Sequence, residues 1–487
     1  MVLENNRTKA VIIFAIAIVL LIASSYIPGG TKIFGYKIKA VDMFIDIKPD
    51  SLLSYSGNSL NDQFKCNNSS NTKFAGVISS DLIDLILEKI NSSDKGTKKV
   101  SDKPAVQPSS GIVTRDVPIT GNTSQMSYFY QALKSAGSRQ LRIAHYGDSE
   151  IEGDLITADI RDNFQKRFGG EGVGYLSITS QDITFRTTTK MSFSNNWKTT
   201  NVLSGYLGTG NPNNLPIGMS GFMATPQGVS WVRYEETGKY PSMTTFKVAR
   251  VFYTNAKSST IKYSFNDGAE QTASLTPGKG VKELKLTYPS GARSFKLTTT
   301  MANQADFYGV SLEDGNGVYV DNFPWRGNTG ISFRELNEGA LKDFDRLCNY
   351  KLIIINFGGN QVSSGDSNFD WFESQMIKII NNLKSTFPQS SFLLVSVGDK
   401  SKKVGTRLMT DPLVVKLVDT QKRIANATGI AFWNLFEAMG GHNSMVDWVE
   451  SNPPLAIKDY THINLQGAKK IADMLTKALL DGSYSYK

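Results

Sequence analysis

A chain of 487 residues is too long for one ordinary domain and suits two or three, with room for a large core. Hydrophobic residues make up 40%, below the content of a polytopic membrane protein, and the net charge of +9 sits partly in Lys-rich polar stretches such as Asp94–Lys103. Such a stretch reads as a solvated linker rather than a nucleic-acid site, since no nucleic-acid motif accompanies it. Two cysteines, Cys66 and Cys348, offer no metal-ligand spacing, and a disulfide between them is not the expected state.

Residues 1–9 form an N-terminal tail. Ala10–Ile27 then runs for 18 residues without a charge. That is just long enough to span a bilayer and longer than the usual apolar stretch of a signal peptide. The expectation is an uncleaved transmembrane anchor. Ala23-Ser24-Ser25 supplies a small-residue cleavage site for the alternative, removal as a signal peptide. Lys32, Lys37 and Lys39 outnumber Arg7 and Lys9, so the basic-residue count leaves orientation open. Residues 28–90 are membrane-proximal, with helical spacing over Ile78–Ile90. Residues 91–124 are rich in Ser, Thr, Lys, Pro and Gly and read as a linker.

Beyond the linker, an α/β pattern opens over residues 125–177. Met126–Ala136 reads as a helix, Leu141–Tyr146 as a strand and Leu155–Phe168 as an amphipathic helix. Gly169–Gly174 breaks the chain. Over residues 178–316 short alternating runs recur: Thr245–Tyr253, Thr260–Phe265, Gln271–Leu275, Val281–Leu286, Ser294–Thr299 and Asp306–Leu312. Turn signals at Asn266-Asp267-Gly268 and Pro277-Gly278 separate them, which implies a β-sandwich or jelly roll. The α/β alternation returns over residues 317–487. Strands are expected at Val318–Val320, Leu352–Phe357, Phe392–Val397 and Ile430–Trp433. Helices are expected at Phe333–Leu347, Phe369–Phe387, Leu413–Ala427 and Leu465–Leu479. Apolar strands separated by helices imply a parallel sheet covered on both faces in three layers, α/β/α, interrupted by the β-rich block after its first helix. Ligands in such sheets bind at the carboxyl ends of the strands. Ser149, Gly358-Gly359-Asn360 and Gly398-Asp399 fall there.

The chemistry concentrates in two segments. Leu141–Gly153 ends an apolar run in Gly147-Asp148-Ser149, which places a serine on the turn after a strand. Asp459-Tyr460-Thr461-His462 sets an acid and a histidine three apart before the last helix. Together they supply a nucleophile, an orienting carboxylate and a base, the inventory of Ser-His-Asp acyl chemistry. The chain holds only His145, His442 and His462. His145 lies inside a strand, where a buried structural role is the natural reading, and His442 follows Gly440-Gly441 in a loop. His462 alone has a carboxylate placed to hold its tautomer, so His462 is the expected base. Acyl transfer also needs donors aimed at a developing oxyanion. The backbone N–H groups of Ser149 and Gly327 and the side-chain amide of Asn360 are the candidates. Trp325 and Trp448, with Trp433, are candidate sugar-binding surfaces, core packing being the alternative. Asp148 reads as a structural cap. Glu150, Glu152 and Asp154 read as a solvated helix start favoured by the dipole.

These blocks resemble the SGNH (GDSL-type) hydrolase family, named for a serine, a glycine, an asparagine and a histidine in four separate segments. The serine matches Ser149, the glycine Gly327 with Gly330 as substitute, the asparagine Asn360, and the histidine His462 with Asp459 three before it. The resemblance covers about residues 124–480 apart from the β-rich block. It departs at Glu150, where the family often has Leu or His, and at Gln361, where Asp is common. The resemblance implies a flavodoxin-like α/β/α hydrolase fold. It is nearest to peptidoglycan O-acetylesterases, which carry an inserted carbohydrate-binding-module-like β domain. These also have a segment similar to Ala438-Met439-Gly440-Gly441 with a nearby tryptophan, matched by Trp448. The implied function is a serine esterase acting on O-acetyl esters of a cell-envelope glycan. The alternatives are an O-acetyltransferase moving acetyl to a peptidoglycan or exopolysaccharide hydroxyl, with a membrane-bound O-acyltransferase as donor, and a non-catalytic glycan-binding envelope protein. No cofactor or metal is implied, and the expected partners are an O-acylated glycan and the membrane, not nucleic acid. The expected place is the bacterial envelope, with the helix in the inner membrane and the catalytic part in the periplasm, or secretion if the N-terminal segment is cleaved.

Overall fold

The computed structural model describes residues 32–33, 36–37, 114–184, 186–203, 214–301 and 305–486. The expected anchor at Ala10–Ile27, Cys66 and most of the linker lie outside the described residues. Among those described, no helix is long and apolar enough to cross a membrane. Lys32–Ile33 and Tyr36–Lys37 pair as a short antiparallel ribbon.

From residue 114 onward the fold is mixed α/β with several sheets. Five parallel strands build the central one: β1 (Gln140–Gly147), β2 (Gly317–Pro324), β3 (Tyr350–Asn356), β4 (Ser391–Val395) and β5 (Ala431–Trp433). They lie in the order β2-β1-β3-β4-β5, with Thr120–Gly121 antiparallel on the edge of β5. The order reverses between β1 and β3, and a crevice opens at such a switch point beyond the strand ends.

Side chains alternate across a strand, and here the alternation separates two cores. Ala144, Tyr146, Ile353, Ile355, Phe392 and Leu394 face one side, under helices Glu338–Cys348, Asp370–Thr386 and Pro412–Thr428. Leu141, Ile143, Leu352, Ile354, Leu393 and Val395 face the other, under Ser127–Leu133, Thr157–Phe168 and Leu465–Ser485. Local signals set the helix limits. The Asp411 side chain accepts from the Leu413 N–H, Pro412 opens its helix, and Gly429 closes it at φ +63°.

Between the helix ending at Phe168 and β2, two antiparallel sheets enclose a third core that includes Val251, Phe295, Leu297, Phe307 and Val310. Expected strands recur within them at Phe246–Thr254, Ser259–Phe265, Gln271–Leu275, Lys282–Ala292, Ser294–Thr299 and Asp306–Glu313. Strands at Thr189–Phe193, Trp197–Asn201, Phe222–Pro226 and Trp231–Glu236 are additional. Trp197–Asn201 has a single apolar residue and Thr189–Phe193 only two, too few for alternation to show. The β-rich part begins before residue 178, because Gly174–Ser177 pairs with Gly309–Leu312. The chain turns into that strand through Gly170, Gly172 and Gly174, all at positive φ.

A buried ion network joins this sandwich to the central sheet. Arg142 on β1 binds Asp321 on β2 through Nε at 2.9 Å and Nη2 at 3.0 Å, and reaches Glu313 and Ser311 of the sandwich. Arg250 adds Glu283 at 2.9 Å and Glu313 at 3.3 Å. Burial raises the Glu313 pKa, but Arg142 and Arg250 outweigh it and hold it down at about 2. A depressed folded-state pKa contributes stability above the unfolded value and loses it as pH falls. Glu313 therefore stabilises the fold above about pH 4.5, and that share disappears as pH drops towards 2. Glu313→Gln is expected to cost about 3 kcal/mol at neutral pH, because it removes the carboxylate that Arg142 and Arg250 share while Asp321 and Glu283 remain. Urea unfolding of both proteins from pH 7 to pH 3 should show the difference narrowing as pH falls, and a constant difference would refute this.

Candidate active site

Ser149 stands just past the end of β1. A Cβ at Gly147 would sit 2.9 Å from both the Asn356 carbonyl oxygen and Ile151 Cγ1, so no larger residue fits before the serine turn. Asp148 is buried, and its carboxylate accepts from the Glu150 N–H at 3.1 Å and the Gly358 N–H at 3.4 Å. It is a cap tying the turn after β1 to the turn after β3.

His462 lies on the loop before Leu465–Ser485. Its Nε2 is 3.1 Å from Ser149 Oγ, and its Nδ1 is 2.6 Å from Asp459 Oδ2. The other Asp459 oxygen accepts from the Thr461 N–H at 2.9 Å and the His462 N–H at 3.0 Å, which fixes the carboxylate. Asp459 thus occupies Nδ1 and leaves Nε2 to the serine. The bond to Asp459 raises the His462 pKa against its burial, with Glu150 adding to the rise. Burial pushes the Asp459 pKa up, and the His462 and backbone donors more than reverse it. His145 is buried on β1 with Nδ1 2.9 Å from Thr157 Oγ1, and burial lowers its pKa to about 4. His442 packs edge-on against Phe436. The serine, acid and histidine singled out in the sequence are therefore brought together, and His145 and His442 have other surroundings.

Asn360 sits in the short helix Gly359–Ser363 after β3, and its Nδ2 donates to the Asn328 carbonyl at 3.1 Å. That bond connects Asn360 to the loop carrying Gly327 and Gly330. The Gly330 N–H is taken by Asn328 Oδ1 at 2.8 Å, and a Cβ there would meet the Phe357 ring at 3.1 Å. Gly327, at φ +75°, has nothing within 4 Å of a Cβ position. Its glycine serves the left-handed backbone rather than space. Of the two, Gly327 is the glycine whose N–H no described residue engages.

Several expectations need correction. Trp325 and Trp448 are not exposed sugar platforms, since both are fully buried. The Trp325 ring packs on Tyr146, Phe333 and Phe357, and its Nε1 donates to the Ser220 carbonyl at 2.9 Å. Trp448 Nε1 donates to the Met439 carbonyl at 3.0 Å. Large amphipathic rings with a bonded N–H belong in a core. The acids after Ser149 are not a solvated helix start either. Asp154 is buried and clamped by Arg161 at 2.8 and 3.1 Å and by Thr188 at 2.7 Å, while Glu152 is nearly buried and pairs with Arg326 at 3.5 Å. Glu150 was not expected at the site. Burial first, then the neighbouring Asp148, raise its pKa to about 8. Glu150 and Lys400 line a small cleft beside the serine turn with Asp148, Gly359 and Thr461. Among the described residues, no cluster of His, Cys, Asp or Glu is placed to hold a metal ion.

A serine, a histidine and an aspartate linked in series at the switch point of a five-stranded parallel sheet define this as an α/β fold with a candidate acyl-transfer site. No sequence-family model matches the chain, and no curated protein matches it in sequence. A solved structure does share its fold. A peptidoglycan O-acetylesterase is 19% identical, with a TM-score of 0.61, covering 75% of this chain and 99% of that one. Weaker matches include a family two carbohydrate esterase from Cellvibrio japonicus, 9% identical over 61% of this chain and 100% of that one with a TM-score of 0.25. The salicylyl-acyltransferase SsfX3 from a tetracycline biosynthetic pathway is 13% identical over 63% of this chain and 96% of that one, with a TM-score of 0.28.

Proposed function

We propose that this protein is a serine esterase of the SGNH type that removes O-acetyl groups from a cell-envelope glycan. The observation that carries the reading is the unbroken series from Ser149 Oγ to His462 Nε2 and from His462 Nδ1 to Asp459. The fold shared with a peptidoglycan O-acetylesterase supports the substrate class.

In this mechanism Ser149 Oγ attacks the acetyl carbonyl carbon as His462 Nε2 takes its proton, giving a tetrahedral oxyanion. The Ser149 and Gly327 N–H groups and the Asn360 amide hold that oxygen. The C–O bond to the sugar breaks, His462 returns its proton to the leaving hydroxyl, and acetyl-Ser149 remains. Water then attacks with the same base, releasing acetate. Asp459 keeps the His462 tautomer and stabilises the imidazolium. The His462 and Asp459 side chains are 42% and 41% exposed, which leaves water a route to the acyl-enzyme. We place the protein in the bacterial envelope, with Ala10–Ile27 as inner-membrane anchor and the esterase in the periplasm.

The test is acetate release from O-acetylated peptidoglycan and from O-acetylated xylan, each with and without added chito-oligosaccharide. Acetate release that the added acceptor leaves unchanged supports the esterase, acetyl appearing on the acceptor supports transfer, and neither on any acetyl ester refutes both.

The base must be neutral to act. Because Asp459 raises the His462 pKa above its ordinary 6.5, kcat/KM should climb with pH through a limb above 6.5. Asp459→Asn removes the largest cause of that rise and should move the limb to lower pH. A limb that stays in place would remove His462 as the titrating group.

A further inference from the structure

On the sandwich side of the serine turn lies a cavity of about 60 Å³, lined by Glu152, Gly153, Tyr175, Arg186, Ser220 and Asn322 among others. One water needs about 10–15 Å³, so the space suits a group of a few heavy atoms. Glu152 comes three residues after Ser149, and its partner Arg326 directly precedes Gly327. The cavity wall therefore continues the serine turn in sequence, and Glu152 ties it to the loop that carries Gly327.

Its unusual member is Arg186. The side chain is 15% exposed, and among the described residues its sole ionic partner is Asp154, 3.3 Å away and itself fully buried. Nε and Nη2 are buried without a hydrogen-bond partner among the described residues. Asp154 is already held by both Nη groups of Arg161 and by Thr188. Two guanidiniums thus share one carboxylate, and one positive charge is left over. Arginine does not shed its proton in a protein, and an uncompensated buried charge is costly. Burial weakens the charged form of Arg186, Asp154 restores part of it, and Arg161 opposes it again. The two other acids on the cavity wall, Glu152 and Asp182, form no ion pair with Arg186 among the described residues. Glu152 pairs with Arg326, and Asp182 Oδ1 accepts from the Thr184 N–H and hydroxyl at 2.8 and 2.6 Å.

We propose that Arg186 binds the carboxylate of an acidic sugar in this cavity, so that the glycan presented to Ser149 is anionic. This rests on the glycan-esterase reading and narrows its substrate class. A carboxylate matches the two unbonded N–H groups that Arg186 presents among the described residues. A phosphate would bring excess negative charge next to Glu152 and Asp182.

The experiment is calorimetric titration of the full chain with unacetylated sugars, so that binding is read without catalysis. Trigalacturonate is compared with neutral galactotriose, and N-acetylmuramic acid with N-acetylglucosamine. The two pairs distinguish a uronic from a lactyl carboxylate. At least one acidic member should bind about tenfold tighter than its neutral counterpart at low ionic strength, and the preference should shrink with added salt. Arg186→Gln should abolish the preference and Arg186→Lys should retain part of it. Equal binding of acidic and neutral sugars by the wild-type chain overturns the proposal even if Arg186→Gln fails to fold. So does a preference unchanged in Arg186→Gln, or stronger competition by inorganic phosphate than by free galacturonate. Failure of the esterase reading shows separately, as absent acetate release with the binding preference intact.

Discussion

Ser149→Ala is expected to lower turnover of a small acetyl ester by about 10⁴–10⁶-fold, with the protein still folded. The nucleophile is lost, and with it the covalent route. The fold should survive because, among the described residues, the Ser149 hydroxyl bonds only His462 and supports no core element. His462→Ala should be comparably damaging, since a neutral hydroxyl is a poor nucleophile without a base. The double variant should be little worse than either single one, because the two act as a unit. His442→Ala is the control within the chain's three histidines, and it should be mild. Its ring lies against Phe436, and its replacement touches none of the Ser149, His462 or Asp459 contacts. Initial rates on 4-nitrophenyl acetate, beside thermal melts, decide the matter. Near-wild-type turnover in Ser149→Ala, or a dead His442→Ala beside an active His462→Ala, would overturn the assignment.

How far the sequence disclosed this arrangement depended on the range of the interaction. The serine turn and the Asp459–His462 step are local patterns, each within a few residues, and the structure joins them at 3.1 Å. The central strands were legible because burial on both faces makes them near-continuous apolar runs. What stayed hidden was set by distant partners. Trp325 and Trp448 look alike whether they face sugar or core, and only neighbours such as Ser220 and Met439 decide it. Asp154 looked like a solvated acid because Arg161, seven residues on, and Thr188 across the fold do not reveal themselves as its clamps in the linear sequence. The sequence favoured Gly327 but left Gly330 as its substitute. The choice turns on the Asn328 side chain consuming one N–H and leaving the other.

Asn360→Ala is expected to reduce kcat by about 10²–10³-fold and leave KM nearly unchanged. An amide donor matters most once charge has moved onto the oxygen, so its loss raises the barrier more than it weakens substrate binding. Asn360 has a second task, since one of its amide hydrogens donates to the Asn328 carbonyl and so steadies the loop carrying Gly327. Its removal can therefore disturb two donors together, which places the expected loss towards the upper end of that range. Asn360→Asp should be worse still. A carboxylate there repels the developing oxyanion and faces the Asn328 carbonyl with no hydrogen to donate. Gln361→Asp leaves both donors in place and should keep the activity. The measurement is kcat and KM for the three variants on one ester, beside Ser149→Ala as the floor. A rise in KM alone, with kcat intact in Asn360→Ala, would make Asn360 a ground-state binder. The oxyanion would then rest on the backbone N–H groups of Ser149 and Gly327.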